Sequence, residues 1–215
     1  TNNMAYTTIN KHTDHFNTKI YTGNATNPTT ISGIGFQPDW VWTKLRSGGT
    51  EAHRLCDAVR GATKDLFSNA TDAEATNTIG LKSFNSDGYV IGNSNGYNLN
   101  SGSFVSWNWK ANGAGSANTD GDINSTVSVN TTAGFSIVTY TGNLSSSTTA
   151  TVGHGLGVAP QMIITKRLSN SSEWGVLHKN LSSWNHVLWL QDTDAQIDKS
   201  SNGSMSAPTS TVFST

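Results

Sequence analysis

Apolar positions along the chain come in short stretches whose members alternate with small polar residues, and Gly, Asn, Ser and Asp interrupt every stretch before a helical period can develop. Trp40 and Trp42 flank Val41, and Val105, Trp107 and Trp109 alternate with Ser106, Asn108 and Lys110. Alternation with period two places one set of side chains on each face of a strand. In the N-terminal half it predicts strands near Thr18–Gly23, Thr29–Gly33, Trp40–Leu45, His53–Asp57, Asp65–Asn69, Leu81–Gly92 (a hairpin-like pair) and Ser103–Ala111. Thr71–Ala75 is the one stretch compatible with a helical turn. On this pattern Val105, Trp107 and Trp109 belong to a buried face, with Ser106, Asn108 and Lys110 in water. Trp40 and Trp42 read as core filling rather than as a sugar-stacking platform.

The pattern occurs twice. Phe16–Asn24, with its Tyr21-Thr22-Gly23-Asn24, returns as Phe135–Asn143 with Tyr140-Thr141-Gly142-Asn143, an offset of 119. Three inserted residues raise the offset to 122, at which Gly33, Gly35, Pro38, Thr43-Lys44, Glu51, Leu55 and Leu66 meet Gly155, Gly157, Pro160, Thr165-Lys166, Glu173, Leu177 and Leu188. The expected organisation is a first β-sandwich repeat over 7–111, a flexible Gly/Asn/Ser linker over 112–125, and a second repeat over 126–215 that lacks its final strand or two. A sheet short of a strand exposes backbone edges. The chain is therefore expected to be either a fragment or completed by a neighbour in a homo-oligomer.

Composition narrows the function. Ser, Thr, Asn and Gly supply 100 of 215 residues, only 13% are charged, and the net charge is −1. That balance offers no basic cluster for a nucleic-acid backbone or an anionic membrane, so neither is expected as a partner. Seven Trp, seven Phe and five Tyr argue for a packed chain rather than a disordered one. Cys56 is the single cysteine, which excludes an internal disulfide framework and a cysteine zinc site. Met4-Ala5-Tyr6 reads as a translation start, with no basic and apolar leader after it.

Few residues suggest chemistry. Trp184, Asn185 and His186 stand in a polar turn where no apolar pattern continues, the combination of an aromatic face and amide groups that a sugar ring requires. Asp57 and Arg60 bring opposite charges together at a strand end, either to clamp a ligand or, as the simpler role, to stabilise a turn. Asn118–Asp122 and Asp192–Asp198 cluster oxygen ligands without completing a calcium loop, and His12 with His15 finds no third ligand, so no metal or cofactor is expected. The sequence contains no nucleophile elbow, phosphate loop or dinucleotide glycine pattern, and Glu occurs only at 51, 74 and 173, so an enzyme is not expected.

Met4–Ile9, Tyr21–Asn24, Gly35–Trp42, Asp57–Gly61, Phe84–Tyr89 and Trp107–Lys110, with Gly153–Pro160 and Ala207–Phe213 of the second repeat, resemble a group of marine bacteriophage proteins built from tandem copies of one domain. That group is similar to lectin-like, concanavalin-like β-sandwiches of virion appendages. The resemblance implies an all-β fold of tandem antiparallel jelly-roll or concanavalin-like sandwiches and a virion location, and it carries no catalytic residue onto this chain. The expected function is a structural and adhesive module of a tail fibre or similar appendage, in contact with other virion proteins. It would hold host cell-surface glycan weakly and many times over. A glycan-degrading depolymerase and a purely structural capsid or tail decoration protein are the alternatives.

Overall fold

The computed structural model describes residues 9–143, 149–202 and 205–215, so Met4-Ala5-Tyr6 and the first two residues of the first repeat lie outside it. The chain is all-β, with several antiparallel sheets. Numbered in chain order, β1 (Phe16–Thr22), β9 (Ser103–Trp109), β3 (Trp40–Ser47), β4 (Arg54–Asp57), β5 (Lys64–Phe67) and β6 (Ala75–Thr76) form a six-stranded sheet in that spatial order. A three-stranded sheet, β2 (Thr29–Ser32), β8 (Gly88–Ile91) and β7 (Leu81–Asn85), covers one of its faces. Ile31, Leu81, Tyr89 and Ile91 on the small sheet pack against Val41 and Cys56 on the large one, and Tyr97 of the single-turn helix α1 (Asn95–Asn98) plugs the end.

Polar residues share that enclosed face. Thr43, Ser106 and Asn108 are fully buried in register with one another, Thr43 opposite Ser106 and Val41 opposite Asn108. Asn108 Nδ2 donates to the carbonyl of Asn17 (3.0 Å) and to the carbonyl of Ser106 (3.2 Å). The expected assignment of faces on β9 is thus reversed for its central residues: Ser106 and Asn108 point into the core and Trp107 and Trp109 point away from it, while Val105 is buried and Lys110 exposed as expected. The alternation was right, but alternation does not say which face is inward.

The indoles face outward because a second layer needs them. Trp40 pairs with Trp109 and Trp42 with Trp107 across β3 and β9. Trp40 and Trp42 join Leu55 and Leu66 in a cluster with Trp174, Ile164, Leu168 and Leu190 of the second repeat. Trp174 is 2% exposed and its Nε1 donates to the carbonyls of Phe67 (2.9 Å) and Ala70 (3.1 Å), so its indole is held by the first repeat. Phe135 sits edge-on to Trp40 and stacks on Trp109, with ring centres 6.1 and 6.2 Å apart. Thr71–Ala75, expected as a helical turn, is not helical: its backbone is drawn into this junction, where Glu74 N–H donates to Leu168 and Thr71 C=O accepts from Ser172.

Beyond the first repeat β10 (Ser116–Asn118), β11 (Ser125–Asn130) and β12 (Phe135–Tyr140) form one sheet, β13 (Thr151–Gly153) pairs with β18 (Val212–Ser214), and β14 (Met162–Lys166), β15 (Trp174–His178), β16 (His186–Trp189) and β17 (Ile197–Asp198) form another. Residues 112–125, expected as a linker, contain β10, which is paired with β11. The order β14-β15-β16-β17 follows β3-β4-β5-β6, and β13–β18 follows β2–β8. A backbone bond from Asn77 to Thr63 returns as one from Lys199 to Asn185 at the same offset of 122. Gly33 and Gly35 have φ of +76° and +92°, and Gly155 and Gly157 have +70° and +73°, a turn that a side chain would strain in both places.

Replacing Trp174 removes the side chain that both repeats bury. Trp174→Ala is expected to lower unfolding free energy by about 3–5 kcal/mol, the range for large aromatic truncation, measured by urea denaturation.

Candidate functional site

The Asp57–Arg60 pair lies in the turn from β4 to β5. Asp57 is set on the aromatic-bearing face of β4, and its Oδ1 accepts from Val59 N–H (3.1 Å) and Arg60 N–H (2.9 Å), which folds the chain back. The Arg60 side chain then turns inward. Its Nε donates to Asp57 Oδ2 (2.5 Å), Nη1 to the Lys64 carbonyl (2.9 Å) and Glu74 Oε2 (3.1 Å), and Nη2 to the Leu55 carbonyl (3.2 Å). Both side chains of the pair are at most 4% exposed. Burial alone would favour the neutral guanidine, but Asp57 beside it raises the Arg60 pKa above its ordinary value. The geometry is that of a buried lock on a turn, its donors directed to protein acceptors.

Trp184 and Asn185 lie in the corresponding turn of the second repeat, between β15 and β16, and His186 opens β16. The structure therefore places the two sets of expected site residues in corresponding turns of the two repeats rather than joining them in one site, and not at matching positions, since at the offset of 122 Asp57 and Arg60 meet Lys179 and Ser182. Here the closure is different. Ser183 C=O accepts from His186 N–H (3.1 Å), Ser183 Oγ lies 2.9 Å from His186 Nδ1, and Asn185 Oδ1 accepts from Met205 N–H (2.6 Å). Gln196 bridges the turn, accepting from Ser182 N–H and donating to Ser182 Oγ (2.7 Å). Trp184 is half-buried, and Ser182, Ser183 and Gln196 are exposed. Lys199 covers the ring of the neighbouring strand residue Trp189 at 5.1 Å.

A third cluster was not singled out from sequence. Asp65 is fully buried, and its Oδ1 accepts from Tyr97 OH (2.5 Å) and from the Cys56 thiol (3.1 Å) while Oδ2 accepts from Asn77 (2.9 Å) and Arg54 (3.2 Å). Burial pushes the Cys56 thiol and the Tyr97 hydroxyl well above their ordinary pKa values, with the Asp65 charge adding to both. A protonated thiol sealed inside the core is not a nucleophile. This network holds β4, β5 and α1 together. Its one sequence signal is a charged residue, Asp65, at a position between Lys64 and the apolar pair Leu66-Phe67, and that signal does not name its partners.

Two hollows lie on the surface of the described residues. One of about 340 Å³ is lined by Lys11, Thr13, Asn17, Gly33, Gly35 and Asp87, where the Asp87 carboxylate accepts from the backbone of Gly35 (2.6 Å) and Gly33 (3.0 Å). The other, about 230 Å³, is lined by Asp122, Thr151, Ser206, Thr209, Phe213 and Ser214. Among the described residues no three His, Cys, Asp or Glu side chains converge as a metal site. In the acidic loops, Asp122 accepts from Thr151 and Asp198 from Ser200, while His15 Nδ1 lies 3.0 Å from Asn130 Nδ2.

Residues 11–215 match the model of a family described as "Domain of unknown function (DUF7483)". The chain belongs to that family. No curated protein and no solved structure gives a significant match. In this DUF7483 chain the match spans both repeats and the aromatic junction between them.

Two outcomes follow for the turns. Arg60→Ala strands the Asp57 and Glu74 carboxylates, and is expected to cost about 3–5 kcal/mol in chemical denaturation, as removal of one partner of a buried pair does. Asp87 is held below the ordinary aspartate pKa by the Gly35 and Gly33 amides. Its contribution is thus full above the ordinary aspartate pKa and disappears as pH falls through the lowered one. Asp87→Asn should flatten that acid limb in a pH series of thermal melts, while unchanged curvature would show that the carboxylate does not matter.

Proposed function

We propose that this DUF7483 chain is a structural and adhesive module that holds host cell-surface glycan without cutting it, built as two tandem β-sandwich repeats. The observation that carries the reading is the contrast between the equivalent turns. In the first repeat the turn is closed by the buried Arg60–Asp57 pair, and in the second it carries a half-buried Trp184 in a turn that also contains the exposed Ser182 and Ser183, with Gln196 bonded to Ser182. An indole offers a flat apolar face to the C–H face of a pyranose, and the Ser182, Ser183, Asn185 and Gln196 side chains offer hydrogen bonds to its hydroxyls. Such a shallow site binds weakly, and copies of the chain in an assembly multiply its strength through effective concentration. A low surface charge suits this role because it limits association with unrelated polyanions.

The setting in a phage virion appendage, beside other virion proteins, rests on the sequence strings that resemble tandem-repeat marine phage proteins. The jelly-roll or concanavalin-like form of the sandwiches rests on the same resemblance.

A glycan array probed with the assembled chain tests the reading. Saturable binding to a subset of host polysaccharides is expected, with Trp184→Ala at least tenfold weaker and its melting temperature little changed. Release of new reducing ends from a bound polysaccharide would make the chain a depolymerase, and absence of all glycan binding would leave a purely structural decoration protein.

A further inference from the structure

We propose that His154 is an acid-released latch: its neutral imidazole fastens the Gly155–Gly157 turn and the stretch before β18 to the end of β13, and protonation releases both. The device is independent of glycan binding, so either reading can fail alone.

Both repeats must hold the same positive-φ turn, and they use different acceptors. In the first, Asp87, which precedes β8, accepts from the Gly33 (3.0 Å) and Gly35 (2.6 Å) amides. A carboxylate gives up that role only in the acid range of aspartate. In the second repeat residues 205–211, which precede β18, contain no carboxylate, and Leu156 N–H donates instead to His154 Nδ1 (3.1 Å). An imidazole nitrogen that accepts carries no proton, so the proton is on Nε2, which donates to the Thr209 carbonyl (3.3 Å). The neutral ring therefore ties two segments, one with each nitrogen. The backbone of the same residue adds two further ties: its N–H donates to the Thr211 carbonyl (3.1 Å), and its own carbonyl accepts from Ser136 Oγ of β12 (2.7 Å).

His154 is 2% exposed. A proton on Nδ1 sets two N–H donors against each other and leaves a charge buried. The ring escapes only by turning into water, which gives up the Thr209 carbonyl as well. Burial holds the imidazole below its ordinary pKa, against the Thr209 carbonyl and the Asp120 carboxylate, which favour the charged form. Asp120 is exposed on the β10–β11 connection, and Asp122 beside it is bonded to Thr151. Neither β11, β12 nor residues 205–214 carry a charged side chain, and Tyr140 of β12 is turned to Phe213 and Thr215. With the folded pKa lowered, the latch contributes fully above the ordinary histidine value, and its contribution declines as pH falls from there towards the lowered one.

The element it secures is small. β13 and β18 pair over three residues, with Val152 opposite Phe213, and these two side chains cover a cluster with Ile123 and Ala150. Release opens this short pair and bares that apolar surface in mild acid, while the first repeat, whose turn is pinned by Asp87, stays closed.

Amide exchange of the whole chain, corrected for the intrinsic pH dependence, tests the latch at about pH 7.5 and about pH 5. The His154 and Thr215 amides, which donate to Thr211 and Ala150, are expected to lose protection at least tenfold at the lower pH while β4 amides keep theirs. His154→Gln, which retains a donor and an acceptor but does not titrate, should hold its protection across this range. The wild-type ring needs no variant: by NMR it should remain the Nε2–H tautomer to below the ordinary histidine pKa. Equal protection at both pH values, the same loss in His154→Gln, or a His154 ring that titrates at or above the ordinary value overturns the proposal.

Discussion

The six-stranded sheet must be covered on both faces, and the rest of the molecule is arranged around that constraint. One face takes the small sheet β2-β8-β7 and encloses a core that includes fully buried Thr43, Ser106 and Asn108. The other carries Trp40, Trp42, Leu55 and Leu66, more apolar surface than a soluble protein leaves open, and the second repeat lies on it through Trp174, Ile164, Leu168 and Leu190. Burying an aromatic side chain removes a large apolar area from water and dominates a contact of this kind. Two hydrogen bonds from the Trp174 indole to the Phe67 and Ala70 carbonyls fix its orientation, so the junction is specified as well as attractive.

That junction explains how equivalent turns diverge. In the first repeat the turn after β4 stands over the network of Asp65, Tyr97, Cys56 and Arg54, and Arg60 with Asp57 closes it, the guanidinium donating to the Lys64 and Leu55 carbonyls. Charge there serves structure. The second repeat has Val187 where the first has Asp65, and no buried carboxylate has to be neutralised beneath its turn. Its turn is held by lighter Ser, Asn and Gln contacts, which leaves Trp184 part of its face for other uses.

Much of the fold was legible in the sequence. Tyr-Thr-Gly-Asn and Gly-x-Gly recur because both repeats need the same strand ending and the same positive-φ turn, and constraints on backbone conformation leave strong sequence traces. Strand positions were readable from alternation. The direction of each face was not, because Trp107 against Asn108 shows two faces without saying that the polar one is enclosed. Trp174 gave no signal as the centre of the junction, since Glu173 and Gly175 flank it and its partners are about a hundred residues away in sequence. Asp57 with Arg60 could be seen because they are three residues apart; Asp65 with Tyr97, separated by 32, could not.

If the shared aromatic face joins the repeats, neither opens alone. Native-state amide hydrogen exchange, followed strand by strand across a denaturant series, measures this most directly. The account predicts that protected amides of β4 in the first repeat and β15 in the second converge on one opening free energy with one denaturant dependence. Separate opening energies, with β15 exchanging while β4 remains closed, would contradict it.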